Sequence, residues 1–177
     1  AIPPADLVIL PGSKSVQSDL AFLRELGWED YIARHLRYGG KVLGICGGFQ
    51  MLGEYLDDPL GMENAEPSSA KGLGYIPMRT ELKDGKQLKQ RTGVISSLGD
   101  AYIKGYEIHS GVSAFHQSVQ HFATLENGEL EGYLSKDKQI IGTYLHGLFD
   151  DKHALKALLD WAGAEDSKDF DYEAYRE

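Results

Sequence analysis

"GKVLGICGGFQMLGEY", Gly40 to Tyr55, is the stretch on which the reading of this chain turns. "KVLGI" is an apolar run without polar alternation, as expected of a strand buried on both faces of a sheet. Cys46 follows it at once, then Gly47 and Gly48, then an amphipathic segment with Phe49, Met51, Leu52 and Tyr55 that reads as a helix from about Gly48 to Tyr55. The pattern G-x-C-x-G is the cysteine counterpart of the serine nucleophile elbow, a sharp strand-to-helix turn whose neighbours must be small. Backbone amides and the positive end of the helix beside the sulfur predict a thiol pKa below the ~8.5 of a free cysteine. The Gly47 N–H is placed to donate to an oxyanion formed on Cys46, a donor worth about 2.7–4 kcal/mol. A second donor is expected from the turn "LPGSKS", at Gly12 or Ser13. The competing reading is a lone cysteine serving as a small buried hydrophobe.

Working outward, Asp6 to Leu10 is a second buried strand closed by Pro11 and Gly12, and Leu20, Phe22, Leu23 and Leu26 recur at helical spacing. A second helix runs from about Glu29 to Tyr38, with Gly39 and Gly40 as its stop. Strand, helix, strand, helix in this order predicts an α/β fold, a mostly parallel, mixed sheet flanked by helices. The stretch Asp57 to Ser69 reads as an exposed loop, and Leu73 to Leu134 as short strands separated by glycine turns. "QIIGTYLH" is the last strand, followed by a helix with Leu155, Leu158, Leu159 and Ala162 on one face and Gly163 at its end. The expected organisation is a linker remnant at 1–5, one domain over 6–163, and a charged tail at 164–177. The abrupt entry into a strand after Pro3 and Pro4 suggests a piece of a longer protein.

The chain has 177 residues, 42% of them hydrophobic, enough for one core. Its formal charge of −9 argues against an electrostatic grip on nucleic acid or on an anionic membrane surface. No run approaches the ~18 apolar residues of a membrane span. A single cysteine forms no internal disulfide, and a reducing cytoplasm is the expected location. "PGSKS" resembles a phosphate loop only superficially, because G-x-x-x-x-G-K-[ST] requires glycine at Val8 and Ser13. The two histidines of "HSGVSAFH" stand seven apart, which no common zinc pattern uses, so no metal site is expected.

A cysteine nucleophile needs a base. His35, His116, His121 and His153 read as surface residues, whereas His146 ends the last strand and is followed by Gly147. Sites in parallel α/β sheets gather at the carboxyl ends of strands, where Cys46 also lies, so His146 is favoured and His109 of "GYEIHSG" is the runner-up.

"GICGGFQMLG" resembles the nucleophile segment of class I glutamine amidotransferase domains, whose architecture is flavodoxin-like. "LPGSKS", "DDPLGMENA", "GLGY", "GYEIHSG" and "GTYLHGLFD" together resemble the branch found at the C-terminal end of cobyric acid synthase, from about Asp6 to Gly163. The resemblance implies Cys46 as nucleophile, His146 as general base and then acid, and Gly47 with Gly12 or Ser13 as the oxyanion hole. It implies a glutamine pocket shaped by Gln50 and lined by Glu107, His109 and Gly111. Most class I domains carry Glu two residues after the histidine. Leu148 stands there in this chain, leaving a Cys–His dyad with Asp150 or Glu107 as conceivable orienting groups. The implied reaction is hydrolysis of glutamine through a Cys46 thioester, with ammonia passing to an upstream synthetase domain that uses ATP and magnesium to amidate adenosylcobyrinic acid a,c-diamide. No cofactor is implied within this piece. Alternatives are the glutaminase domains of cobyrinic acid a,c-diamide synthase or of lipid II amidation, a cysteine enzyme of another class on the same fold, and a non-catalytic partner-binding domain.

Overall fold

The computed structural model describes residues 6–163, without the side chains of Lys86, Gln87 and His109; the expected linker remnant and charged tail lie outside the described residues. Two mixed sheets make the frame. The first contains β1 (Leu7–Leu10), β2 (Lys41–Ile45), β10 (Ile140–Thr143) and β9 (Tyr133–Leu134), in the order β1-β2-β10-β9. The first three run parallel and β9 is antiparallel. Because successive side chains of a strand point to opposite faces, Leu43 and Ile141 enter one core with Ile103, Phe122 and Leu158. Val8, Leu10, Val42 and Ile140 enter another with Ile32, Phe49 and Met78. Both faces are therefore apolar, which is why "KVLGI" shows no alternation.

Helices α1 (Val16–Glu25) and α2 (Trp28–Arg37) belong to the second core's side, and α4 (Lys152–Ala162) packs over the first. Asp151 caps α4 by accepting from the amides of His153 and Ala154, and Gly163 ends it at a φ of 93°. Leu20 of α1 is fully buried, whereas Phe22 and Leu26 stand exposed.

The second sheet has the order β11-β6-β5-β3-β4. Its spine is a long antiparallel pair, β5 (Met78–Ile95) with β6 (Ala101–Phe115), joined through a 3-10 turn at Ser96–Leu98. Residues 83–86 swing out of this pair between Leu82 and Gln87, which face Gly111 and His109. Two short strands, β7 (Ala123–Leu125) and β8 (Leu130–Glu131), extend it from β5. The expected loop from Asp57 to Ser69 is in part a hairpin: β3 (Tyr55–Asp58) pairs antiparallel with β4 (Ser68–Lys71) and parallel with β5. Leu56 and Asp58 are buried there, and Asp58 accepts from the amides of Met62 and Glu63; charged residues hid the strand's period of two.

The segment read as one last strand is two. β10 lies in the first sheet and β11 (Leu145–His146) in the second, with the crossing at Tyr144. This crossing brings the two sheets together beside Cys46.

Candidate active site

Helix α3 covers only Gly47–Met51, shorter than the expected run to Tyr55. Gly53 lies against the start of β5, where an added Cβ would stand 2.8 Å from the Met78 oxygen, and the chain turns there into β3. The elbow itself is sharply drawn. Cys46 has φ 52° and ψ −108°, a left-handed conformation that costs a residue with a Cβ of order 1–3 kcal/mol. The cost is met by packing with no room for larger neighbours. A Cβ on Gly48 would lie 2.0 Å from the Leu10 oxygen. Gly44 and Gly142 are register partners; their Cβ atoms would meet Leu52 and the Phe49 ring at 2.6 and 2.2 Å.

A cleft of about 480 Å³ opens in front of the sulfur, lined by Gly12, Ser13, Cys46, Gly47, Gln50 and His146 among others. A Cβ on Gly12 would stand 3.0 Å from His146 Cε1 and 3.8 Å from Cys46 Cβ, so Gly12 sits in the narrow space between them. The Ser13 nitrogen lies 2.8 Å from where a Gly47 Cβ would be. The structure thus gathers Cys46, His146, Gly12, Ser13, Gly47 and Gln50 around one space. Gln50 is buried and donates from Nε2 to the Tyr144 hydroxyl (3.2 Å); that hydroxyl also bonds Ser113.

The other expected residues lie differently. From β6 it is Ile108 and Ser110 that line the cleft, with Leu82 of β5. Glu107 is paired with Arg91 (3.3 Å), a nearly inaccessible guanidinium that also meets Glu126 and Glu129. Gly111 lies behind Gln50, where its Cβ would be 3.2 Å from Nε2. The His109 side chain lies outside the described residues. Leu148 is buried in the apolar core, and among the described residues the His146 ring has no hydrogen-bond partner. His35 is half-buried and bonded to the Lys41 oxygen (2.7 Å), and His121 bonds the Gly132 oxygen (3.0 Å) and meets the Phe115 ring edge-on; both contribute to packing.

The thiol reverses the electrostatic expectation. Burial first, then the charges of Glu131 and Glu107, push Cys46 up to about 12, and its Sγ–H donates to the Tyr144 oxygen (3.2 Å). A five-residue helix adds little against that desolvation. At neutral pH Cys46 therefore rests as a protonated thiol. Burial pulls His146 below its ordinary value, so its imidazole is neutral at pH 7 and able to accept that proton.

Two acids were missed by sequence reasoning. Glu63, within "DDPLGMENA", borders the cleft: its Oε2 accepts from the Gln17 amide (3.1 Å), while its Oε1 is shielded from solvent and has no partner. It is the sole such buried side-chain oxygen or nitrogen among the described residues. Desolvation first, with Asp58 and Asp19 adding repulsion, raises its pKa. The second acid, Glu131, is buried on the other side of Cys46, accepting from the Thr143 hydroxyl and the Tyr144 amide. An acid inside an apolar run such as "LEGYL" was its sole signal. Among the described residues, no group of three or more His, Cys, Asp or Glu side chains could hold a metal ion, and no helix is long and apolar enough to cross a membrane.

Comparison with known proteins bears on the family and the fold. The chain is 62% identical to cobyric acid synthase from Marinomonas sp. (strain MWYL1) over 99% of its own length, and spans 37% of that protein. A crystal structure of a glutamine amidotransferase superimposes with a TM-score of 0.61 at 18% identity, covering 90% of this chain and 80% of that one. PurLQS from Thermotoga maritima gives 0.61 at 16% identity, covering 88% and 79%. Both likenesses concern the fold alone, and they bear out the expected α/β architecture. Residues 1–154 match the model of the CobB/CobQ-like glutamine amidotransferase domain, and the chain belongs to that family.

Proposed function

We propose that this domain hydrolyses glutamine through a thioester on Cys46. The observation that carries the reading is the strained elbow at Cys46 facing His146 across Gly12. The Cys46 sulfur bonds to the side-chain carbonyl carbon of glutamine while its proton moves to neutral His146, and the carbonyl electron pair becomes an oxyanion facing the Gly47 and Ser13 amides. The imidazolium then gives its proton to the leaving nitrogen, the C–N bond breaks, and ammonia departs from a γ-glutamyl thioester. Water, deprotonated by His146, cleaves the thioester to glutamate and restores the thiol. The partnerless Glu63 Oε1 is suited to the substrate's α-ammonium, which would supply the missing hydrogen bond and lower the raised pKa of this acid. Of the expected pocket residues Gln50, Glu107, His109 and Gly111, Gln50 lines the cleft with Ser110 and Glu63, Gly111 supports Gln50, Glu107 is turned to Arg91, and the His109 side chain lies outside the described residues.

The strong identity to part of a cobyric acid synthase supports ammonia delivery to a synthetase domain of the same polypeptide. That partner would use ATP and magnesium to amidate adenosylcobyrinic acid a,c-diamide in the cytoplasm, with no cofactor bound to the piece described. The test is a glutamine-mimicking electrophile such as diazo-oxo-norleucine followed by mass measurement. One adduct is expected, lost in Cys46→Ser. No adduct in the full-length polypeptide would overturn the reading in favour of a non-catalytic domain.

A further inference from the structure

The crossing between β10 and β11 leaves the first sheet at Thr143 and joins the second at Leu145, so the Tyr144 amide lies beyond either ladder. A buried amide without a partner costs about 1–3 kcal/mol, and here a side chain takes the place of a neighbouring strand. Glu131 Oε1 accepts from the Tyr144 amide (2.7 Å), and both carboxylate oxygens lie 2.9 Å from the Thr143 hydroxyl. That hydroxyl accepts in turn from the Leu145 amide (3.1 Å). Three successive residues are thus tied to one carboxylate. The same residues hold the nucleophile from the other side: the Thr143 oxygen accepts from the Cys46 amide (2.8 Å) and the Tyr144 oxygen from the Cys46 thiol (3.2 Å). His146 follows two residues later.

We propose that Glu131 is a positioning residue, fastening the Thr143–Leu145 backbone so that the Cys46 thiol and the His146 imidazole are presented to the same substrate atom. The inference rests on the reading of Cys46 and His146 as the reacting pair. It supplies in part what Leu148 does not: the base is held through its backbone rather than by a carboxylate on its ring. Glu131 is buried among Cys46, Tyr144 and Glu107, with Arg91 beyond Glu107; desolvation raises its own pKa to about 7. A carboxyl in that state keeps an oxygen for the Tyr144 amide whether or not it carries a proton, so the clamp survives neutral pH.

In the full-length polypeptide, Glu131→Ala is expected to lower kcat for glutamine hydrolysis about 10²-fold, the scale of a misplaced reacting group, with KM within about threefold. Glu131→Gln keeps an oxygen for the Tyr144 amide and should recover kcat to within about tenfold of wild type. Thr143→Val, which cuts the link to the Leu145 amide, should fall between. Alkylation of Cys46 by iodoacetamide, followed against pH, reads the same clamp without glutamine. Loss of the Glu131 charge moves the alkaline rise to lower pH in both Glu131 variants, and loss of the clamp changes the plateau rate in Glu131→Ala alone. Wild-type kcat in folded Glu131→Ala, or Glu131→Gln as impaired as Glu131→Ala, would overturn the proposal. Should Glu131→Ala fail to fold, wild-type kcat in Thr143→Val would overturn it. A wild type that alkylates at Cys46 but hydrolyses no glutamine would instead defeat the reaction; plateau rates equal in wild type and Glu131→Ala would then defeat the clamp.

Discussion

Cys46 has a front and a rear, and they are built on opposite rules. Behind it, at Thr143, Tyr144, Glu131 and Arg91, buried polar groups are paired with one another. In front, around the cleft, the Glu63 Oε1 has no partner and the His146 ring makes no hydrogen bond among the described residues. Buried polar groups left unpaired are costly, and natural chains keep few of them. The sole buried side-chain oxygen without a partner among the described residues lies on this side, which on the proposed reading is where a polar substrate would complete the structure. The rear is a frame and the front is a socket.

The most severe way to break this contrast is to remove the atom between the two sides. Cys46→Ala should reduce glutamine hydrolysis by at least about 10⁴-fold. It also carries a stability signature. The folded thiol keeps its proton up to about 12, whereas the unfolded one releases it near ~8.5, so the stability it contributes is complete below that pH and lost as pH rises toward 12. In thermal melts the wild type should therefore lose Tm relative to Cys46→Ala between pH 8 and 11. Parallel curves would mean that the thiol is not desolvated.

Next in size is the base. His146→Ala should lower kcat about 10²–10⁴-fold with KM little changed. Because burial holds His146 below its ordinary value of ~6.5, the neutral base is already available at pH 7, and the acid limb of kcat/KM should lie below pH 6.5. A limb above pH 7 would mean that a carboxylate reaches the ring in the working enzyme.

The front of this site was far more legible than the rear. Cys46, Gly47 and Gly48 announce a turn through composition and spacing, and His146 is marked by its place at the end of an apolar run. Local pattern suffices because local geometry makes the elbow. Glu131 and Tyr144 owe their roles to a strand that changes sheets, a long-range event with no periodic signature. The same limit explains β3, whose "YLDD" hides a strand behind Asp57 and Asp58. It also explains the thiol: a rule about helix ends pointed one way, and burial beside two glutamates, visible only once the chain is folded, acted more strongly.

Glu63 sharpens the contrast with a smaller effect, because it separates binding from stability. Glu63→Gln keeps an acceptor for the Gln17 amide and removes a charge repelled by Asp58 and Asp19. The free protein should melt slightly higher. Glutamine should bind less well, with KM raised about 10- to 100-fold, as expected for losing a charge-assisted hydrogen bond of about 1.5–3 kcal/mol. A raised Tm with an unchanged KM would show the partnerless oxygen to be a packing defect.

The smallest change is the most local. Gly12→Ala adds one methyl 3.0 Å from His146 Cε1, tighter than ordinary van der Waals contact, and 3.8 Å from Cys46 Cβ, which is comfortable. The imidazole must give way while the thiol need not. Fixed by no hydrogen bond among the described residues, the ring can rotate aside at little cost, so Tm should move by no more than a few degrees. Its alignment with the sulfur should suffer, lowering kcat about tenfold while iodoacetamide still alkylates Cys46 at the wild-type rate. A drop in alkylation as large as the drop in kcat would place the methyl's effect on the sulfur and its backbone, and the base would then be the better fixed of the two groups.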